Sequence, residues 1–179
     1  DYGAGNVQSV IFAFERLGVQ PVLTANAEKL RAAKHVVFPG VGAAGAALLH
    51  FEQTGLHSVL LDLQQPVLGI CLGLQMMCRH TEEDNTDGLG VFDTEVVHFE
   101  HDLKVPHMGW NALESMKGPL FDGVEPGSEV YFVHSYYAKV NDQTIATANY
   151  GHSFAAALQN DNFYGVQFHP EKSGAVGEQ

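Results

Sequence analysis

The chain has 179 residues, 45% of them hydrophobic, which is enough to bury one substantial core unaided and too few for two ordinary domains. Against 21 acidic residues stand only 9 Lys plus Arg, a net charge of −12 that offers no basic face to nucleic acid or to an anionic membrane surface. No run approaches the roughly 18 to 20 apolar residues of a membrane span, and Cys71 and Cys78 stand too near each other in sequence to close a useful disulfide, so a reducing, cytoplasmic setting is expected.

The first residues, "DYGAGN", read as a turn with no strand in front of it, and the last, "SGAVGEQ", fall where a new helix could start. Residues 1–179 are therefore expected to form one domain clipped at both ends. Val7, Val10, Ile11, Phe14 and Leu17 recur at helical spacing, with Asn6 as N-cap and Gly18 as stop. "QPVLTAN" predicts a short strand, after which Asn26 caps a helix over "AEKLRAAK". "HVVFPG" is a β-branched run ended by Pro39 and Gly40. Two more helices, in "AGAALLHFEQTG" and "LHSVLLDLQQ", lead to a buried strand at "PVLGI".

This alternation up to about residue 80 predicts βαβ units, with a parallel sheet covered by helices on both faces. The second half differs. "VFDTEVVHF", "EVYFVHSYYAKV", "TIATAN", "SFAAALQ" and "FYGVQFH" are strand-like and joined by loops rich in Gly, Asn, Asp and Pro, which predicts an antiparallel extension. The expected architecture is a three-layer α/β fold on a mixed central sheet.

At "GICLGLQ" an apolar strand runs into Gly-x-Cys-x-Gly and then into the helix "LQMMCRH". That is the pattern of a nucleophile elbow, a tight strand-to-helix turn that presents its central side chain. A thiol there faces a helix N-terminus, where unpaired N–H groups favour thiolate, and the N–H of Leu72 can serve as one half of an oxyanion hole. The plain alternative is that Cys71 is a small buried hydrophobe, as free cysteines usually are. For Cys78, on the same predicted helix among Leu74, Met76 and Met77, that core reading stands.

A thiol nucleophile needs a base that also returns a proton, and ten histidines compete for the role. "YGVQFHPEKS" singles out His169: it ends a predicted strand, Pro170 keeps it extended, and Glu171 two residues on can fix the imidazole tautomer. Cys71, His169 and Glu171 thus make a nucleophile, a base and its orienter. His35, His50, His57, His80, His98, His101, His107 and His152 show no partner pattern, and with neither H-E-x-x-H nor C-x-x-C no metal site is expected.

Taken together, "GICLGLQ" and "GVQFHPEKS", in this order, resemble a class I (triad-type) glutamine amidotransferase domain. "DYGAGN", "PGVG" at 39–42, "VPHMGWN" at 105–111 and "YFVHSYY" at 131–137 are similar to the glutaminase subunits of imidazole glycerol phosphate synthase, and the matches span nearly the whole chain. Ala44 departs from that pattern, which has a bulkier aromatic residue there.

The resemblance implies a flavodoxin-like fold and a glutaminase of histidine biosynthesis that needs no cofactor. In it Cys71 attacks glutamine, His169 hands a proton to departing ammonia, and Leu72 with the Val41–Gly42 peptide holds the oxyanion. Gly40, Gln75 and the backbone at His134, Ser135 and Tyr136 would bind the substrate. A β/α-barrel cyclase subunit would receive the ammonia in a heterodimer, with Asn6, Met108, Trp110 and Asn111 as interface candidates. Gly40, Val41 and Gly42 could also flip a peptide plane under a partner's control, since glycine tolerates positive φ. Two other readings share the elbow: a redox-responsive protein that uses Cys71 as an oxidisable thiol, and an amidotransferase or γ-glutamyl hydrolase with a different acceptor.

Overall fold

A computed structural model describes residues 7–40, 42–100 and 103–179. The expectations placed on Asn6, as helix cap and interface residue, and on Val41, as part of the oxyanion hole, lie outside the described residues. The first half runs α1 (Val7–Arg16), α2 (Ala27–Ala32), β1 (Val36–Gly40), α3 (Ala44–Gln53), α4 (Leu56–Leu61), β2 (Val67–Cys71) and α5 (Leu72–Met77). The strands β3 (Cys78–Thr81), β4 (Thr86–Asp87), β5 (Phe92–His98), β6 (His107–Ala112), β7 (Glu129–His134) and β8 (Tyr136–Ala138) follow. Last come β9 (Thr144–Tyr150), β10 (His152–Asn160), β11 (Phe163–Val166) and α6 (Gly174–Glu178).

The main sheet has the order β1-β2-β11-β10-β8-β5-β3-β4, with β9 also paired to β10. β1, β2 and β11 are parallel neighbours, whereas β10 pairs antiparallel with β11, β8 and β9. β6 and β7 form a separate antiparallel hairpin. The sheet is therefore mixed, parallel where the βαβ alternation lies and largely antiparallel beyond it.

Apolar residues on both faces explain the layers. On one face Val36, Phe38 and Val67 join Leu48 and Phe51 of α3, Leu56 and Leu60 of α4, and Leu72, Leu74 and Met76 of α5. On the other, Ile70, Phe154 and Val166 join Val10 of α1 and Val130 and Phe132 of β7, with Val176 of α6 packed against them.

Three local expectations need correction. Residues 20–26 form no strand, because no strand among the described residues pairs with them, and Val22 and Leu23 are exposed. Helix α5 stops at Met77, so Cys78 is its C-cap and opens β3 rather than sitting on the helix; it is fully buried. "EVYFVHSYYAKV" is two strands, β7 in the hairpin and β8 in the main sheet, parted at Ser135.

The elbow is fixed by contacts that only glycine allows. A Cβ on Gly73 would overlap the Phe38 carbonyl oxygen of β1, and one on Gly69 would run into the Met77 side chain and the Gly73 backbone. Backbone against backbone cannot yield as a side chain can. Gly73→Ala is therefore expected to destabilise the protein by about 3 kcal/mol or more, in the upper part of the range for overpacked cores. Denaturant unfolding checks this; a loss below about 1 kcal/mol would mean that α5 can move off β1 without cost.

Candidate active site

Cys71 is the last residue of β2 and precedes the first residue of α5, with φ 54° and ψ −107°. A positive φ is unfavourable for a residue with a side chain, and it turns this one out of the sheet at the strand end. The ladder places Gly40 opposite Cys71 on one flank and Val166 opposite Ile70 on the other. The segments following β1 and β11 are thus delivered to either side of the sulfur.

From β11 the chain continues through Gln167 and Phe168 to His169. The strand ends at Val166, three residues short of the expected end, and His169 is instead held to the hairpin by its N–H, which donates to the Tyr131 carbonyl at 2.9 Å. Pro170 starts a single 3₁₀ turn over Pro170–Lys172, which brings Glu171 back beneath the imidazole. His169 Nδ1 lies 2.8 Å from Glu171 Oε1, and the two side chains are only 3% and 6% exposed. Ser173 Oγ donates to the His169 carbonyl at 2.7 Å and accepts from the Tyr131 N–H at 3.0 Å, tying the turn to β7.

Burial works against a charged His169, yet the neighbouring Cys71 sulfur and the Glu171 carboxylate outweigh it and raise the imidazole from 6.5 to about 9. Nε2, on the far side of the ring from Glu171, is buried and has no hydrogen bond of ordinary geometry.

On the other flank, Gly42 has φ 109°, a conformation that suits glycine. Ala43 gives α3 no side-chain cap, and the first amides of the helix are met from a distant turn instead. The Ala44 N–H donates to Glu83 Oε2 at 2.9 Å and the Gly45 N–H to Asp84 Oδ2 at 3.3 Å. Ala44 is fully buried. Leu72 opens α5, so its N–H belongs to the first turn, where donors have no acceptor within the helix.

Gln75 is buried on α5, and its Nε2 donates to the Tyr136 carbonyl at 2.9 Å and to Gln167 Oε1 at 3.0 Å. The "HSY" backbone is not an open acceptor row. The Ser135 carbonyl accepts from the Phe99 N–H at 3.0 Å, and the Tyr136 carbonyl accepts from both Gln75 and His134 Nδ1, the latter at 2.8 Å. Burial first, then the charges of Glu83, Asp84 and Glu82, push the Tyr136 phenol up, so the acidic turn lies near this group.

His134 and His107 form a pair that the sequence did not disclose, with Nδ1 of His107 2.9 Å from Nε2 of His134. Burial takes His107 down to about 4 and, together with the His107 and His169 charges, takes His134 down to about 3 despite its bond to the Tyr136 carbonyl. Asn111, one of the interface candidates, directs its Nδ2 to the Asn149 carbonyl at 2.8 Å and toward His107 Nε2 at 3.4 Å. Met108 and Trp110, on the same strand, are 62% and 54% exposed. Among the described residues no group of three or more His, Cys, Asp or Glu is placed to hold a metal, and no helix is long and apolar enough to cross a membrane.

Fold and site together place an elbow cysteine and a buried histidine–carboxylate pair at the carboxyl edge of a mixed α/β sheet. The glutamine amidotransferase class-I family model matches residues 1–179. The chain is 53% identical over 180 residues to the imidazole glycerol phosphate synthase subunit HisH of Bacteroides fragilis strain YCH46, covering 99% of this chain and 92% of that protein. To the HisH subunit of Shewanella oneidensis it is 46% identical, with 100% and 90% covered. Among solved structures, a glutamine amidotransferase superposes with a TM-score of 0.76 at 16% identity over 97% of this chain and 90% of that one. Another, from Thermotoga maritima, gives 0.63 at 17% identity over 94% and 70%. The chain belongs to the class-I glutamine amidotransferase family, within its HisH branch.

The imidazoles set opposite pH limits. His169 is raised, so its contribution to stability is complete below about 6.5 and is lost as pH rises through about 9. His107 and His134 are lowered, so theirs is complete above about 6.5 and is lost as pH falls through about 4 and then about 3. Titration of the His169 ring by NMR is expected to give a pKa near 9 and a lower value in Cys71→Ala. An unchanged value in that variant would mean that the sulfur does not bear on the ring.

Proposed function

We propose that this chain is the glutaminase subunit of imidazole glycerol phosphate synthase, releasing ammonia from glutamine through a Cys71 thioester. The observation that carries the reading is the buried His169–Glu171 pair beside an elbow cysteine, in a chain about half identical to HisH subunits. An oxidisable thiol would need no buried carboxylate to orient a histidine, so that pair also favours a triad over a redox role.

In this reading the Cys71 sulfur, as thiolate, attacks the side-chain carbonyl carbon of glutamine and the C=O π electrons move onto oxygen. The N–H of Leu72 and the Val41–Gly42 peptide stabilise that oxyanion; a single such donor contributes about 2.7–4 kcal/mol. His169 already carries its proton at neutral pH, by virtue of its raised pKa, and delivers it from Nε2 to the nitrogen as the C–N bond breaks. Ammonia leaves and a γ-glutamyl thioester remains. Neutral His169 then takes a proton from water, whose oxygen displaces the sulfur and yields glutamate. Glu171 keeps Nδ1 protonated throughout, so that Nε2 is always the working atom.

Glutamine would lie over α5 with Gly40, Gln75 and the segment at His134, Ser135 and Tyr136 around its head group. The acidic turn at Glu83 adds negative charge on the side where an ammonium group would sit. A β/α-barrel cyclase in the cytoplasm would receive the ammonia and add it to a phosphorylated ribulosyl aminoimidazole-carboxamide. Met108 and Trp110 offer an exposed apolar face to such a partner, with Asn6 and Asn111 as the remaining interface candidates and Asn111 acting from behind. No cofactor takes part.

Cys71→Ala is expected to abolish ammonia release from glutamine while leaving the thermal midpoint within a few degrees of the parent; residual turnover above about one part in a thousand would sink the thioester route. Trp110→Ala is expected to weaken binding to the cyclase by about 30-fold, the effect of losing an aromatic anchor. Calorimetric titration reads this directly, and an unchanged affinity would remove Trp110 from the contact.

A further inference from the structure

Behind the nucleophile runs a line of buried amides. Gln167 is 0% exposed and follows Val166, whose register opposite Ile70 sets it beside Cys71. Its Nε2 lies 3.6 Å from Cys71 Sγ, and its Oε1 accepts from Gln75 Nε2 at 3.0 Å. The orientation of both amides follows from one atom. The Tyr136 carbonyl can only accept, so Gln75 must turn its nitrogen end toward it. The second N–H of that nitrogen then meets Gln167 Oε1, and the amino end of Gln167 is left facing the sulfur.

We infer that Gln167 is a positioning residue for the nucleophile: the relay from the Tyr136 carbonyl through Gln75 to Gln167 aims an N–H at the Cys71 sulfur and holds it as a placed thiolate. The inference rests on the reading of Cys71 as nucleophile. A hydrogen bond to an anion is roughly twice as strong as one between neutral groups. The bond favours the free anion over the neutral thioester, so it acts on the fraction and aim of thiolate before glutamine arrives. Gln75 joins the substrate region to the sulfur through this line.

The test is alkylation of Cys71 by iodoacetamide in the intact protein, followed against pH. Cys78 does not compete, since complete burial pushes its thiol far up. Gln167→Met keeps the volume of the side chain and removes the donor. It is expected to lower the alkylation rate at neutral pH about tenfold and to move the pH midpoint up by about one unit. kcat for glutamine should fall with KM nearly unchanged. A folded Gln167→Met whose alkylation profile superimposes on the parent overturns the inference.

Should that variant fail to fold, the parent protein decides. One side-chain amide proton of Gln167 is expected downfield in NMR spectra and is expected to move upfield in Cys71→Ala; an unmoved resonance overturns the inference equally. Iodoacetamide needs no glutamine, so a parent protein that failed to hydrolyse glutamine even with its cyclase partner bound would refute the proposed function without altering this readout.

Discussion

Three parallel strands that stop at the same level create this site. β2 ends at Cys71, its neighbour β1 ends opposite it at Gly40, and its other neighbour β11 ends opposite Ile70 at Val166. Ligands of open α/β sheets gather at such carboxyl edges because each strand there releases a loop free to carry chemistry. Here the end of β2 carries the sulfur itself and the loop after β11 sets Gln167 3.6 Å from it. The arrangement requires α5 to leave the sheet at once, hence the positive φ at Cys71, a sparsely populated conformation that costs about 1–3 kcal/mol for a residue with a Cβ. Close backbone contact between Gly73 and Phe38 keeps that turn from relaxing.

The same carboxyl edge separates histidines into two electrostatic classes. His169 is pulled up by a sulfur and a carboxylate, whereas His107 and His134 are pushed down by burial, and the charge on His169 adds to the depression of His134. Groups driven apart in this way take distinct chemical roles. The neutral pair has its tautomers set by the Tyr136 carbonyl: His134 must donate from Nδ1, so its Nε2 accepts from Nδ1 of His107, whose Nε2 is left to accept from Asn111. One carbonyl therefore orients two networks, the imidazole pair on one side and the two glutamine amides on the other.

What could be read in the sequence was whatever depends on neighbours along the chain. The elbow is carried by glycines two residues either side of Cys71, and the His169–Glu171 contact spans a single turn started by Pro170, so both were legible as short motifs. Helix α2 with its Asn26 cap, and the strands at Val36–Gly40 and Val67–Cys71, have local signatures of the same kind. Gln167 stood inside a quoted motif, yet its partners lie 92 and 96 residues away, and nothing in "GVQFH" says where an amide points. His107 and His134 meet only because β6 and β7 pair in register. Residues 20–26 fail in the opposite sense: their apolar, β-branched residues permit a strand, but a strand exists only when an edge is there to receive it.

The loop between β1 and α3 shows how little of the site is free to change. On one side Gly40 is fixed by its register with Cys71, and on the other Ala44 and Gly45 are fastened by Glu83 and Asp84, from a turn in which Asp84 and Asn85 both have positive φ. Such residues persist only where the surroundings over-determine them. A turn held in that state makes a firm anchor, and through it the charge that surrounds Tyr136 also restrains the start of α3. Among the described residues of this loop, conformational freedom sits at Gly42, whose φ of 109° a side chain would disfavour.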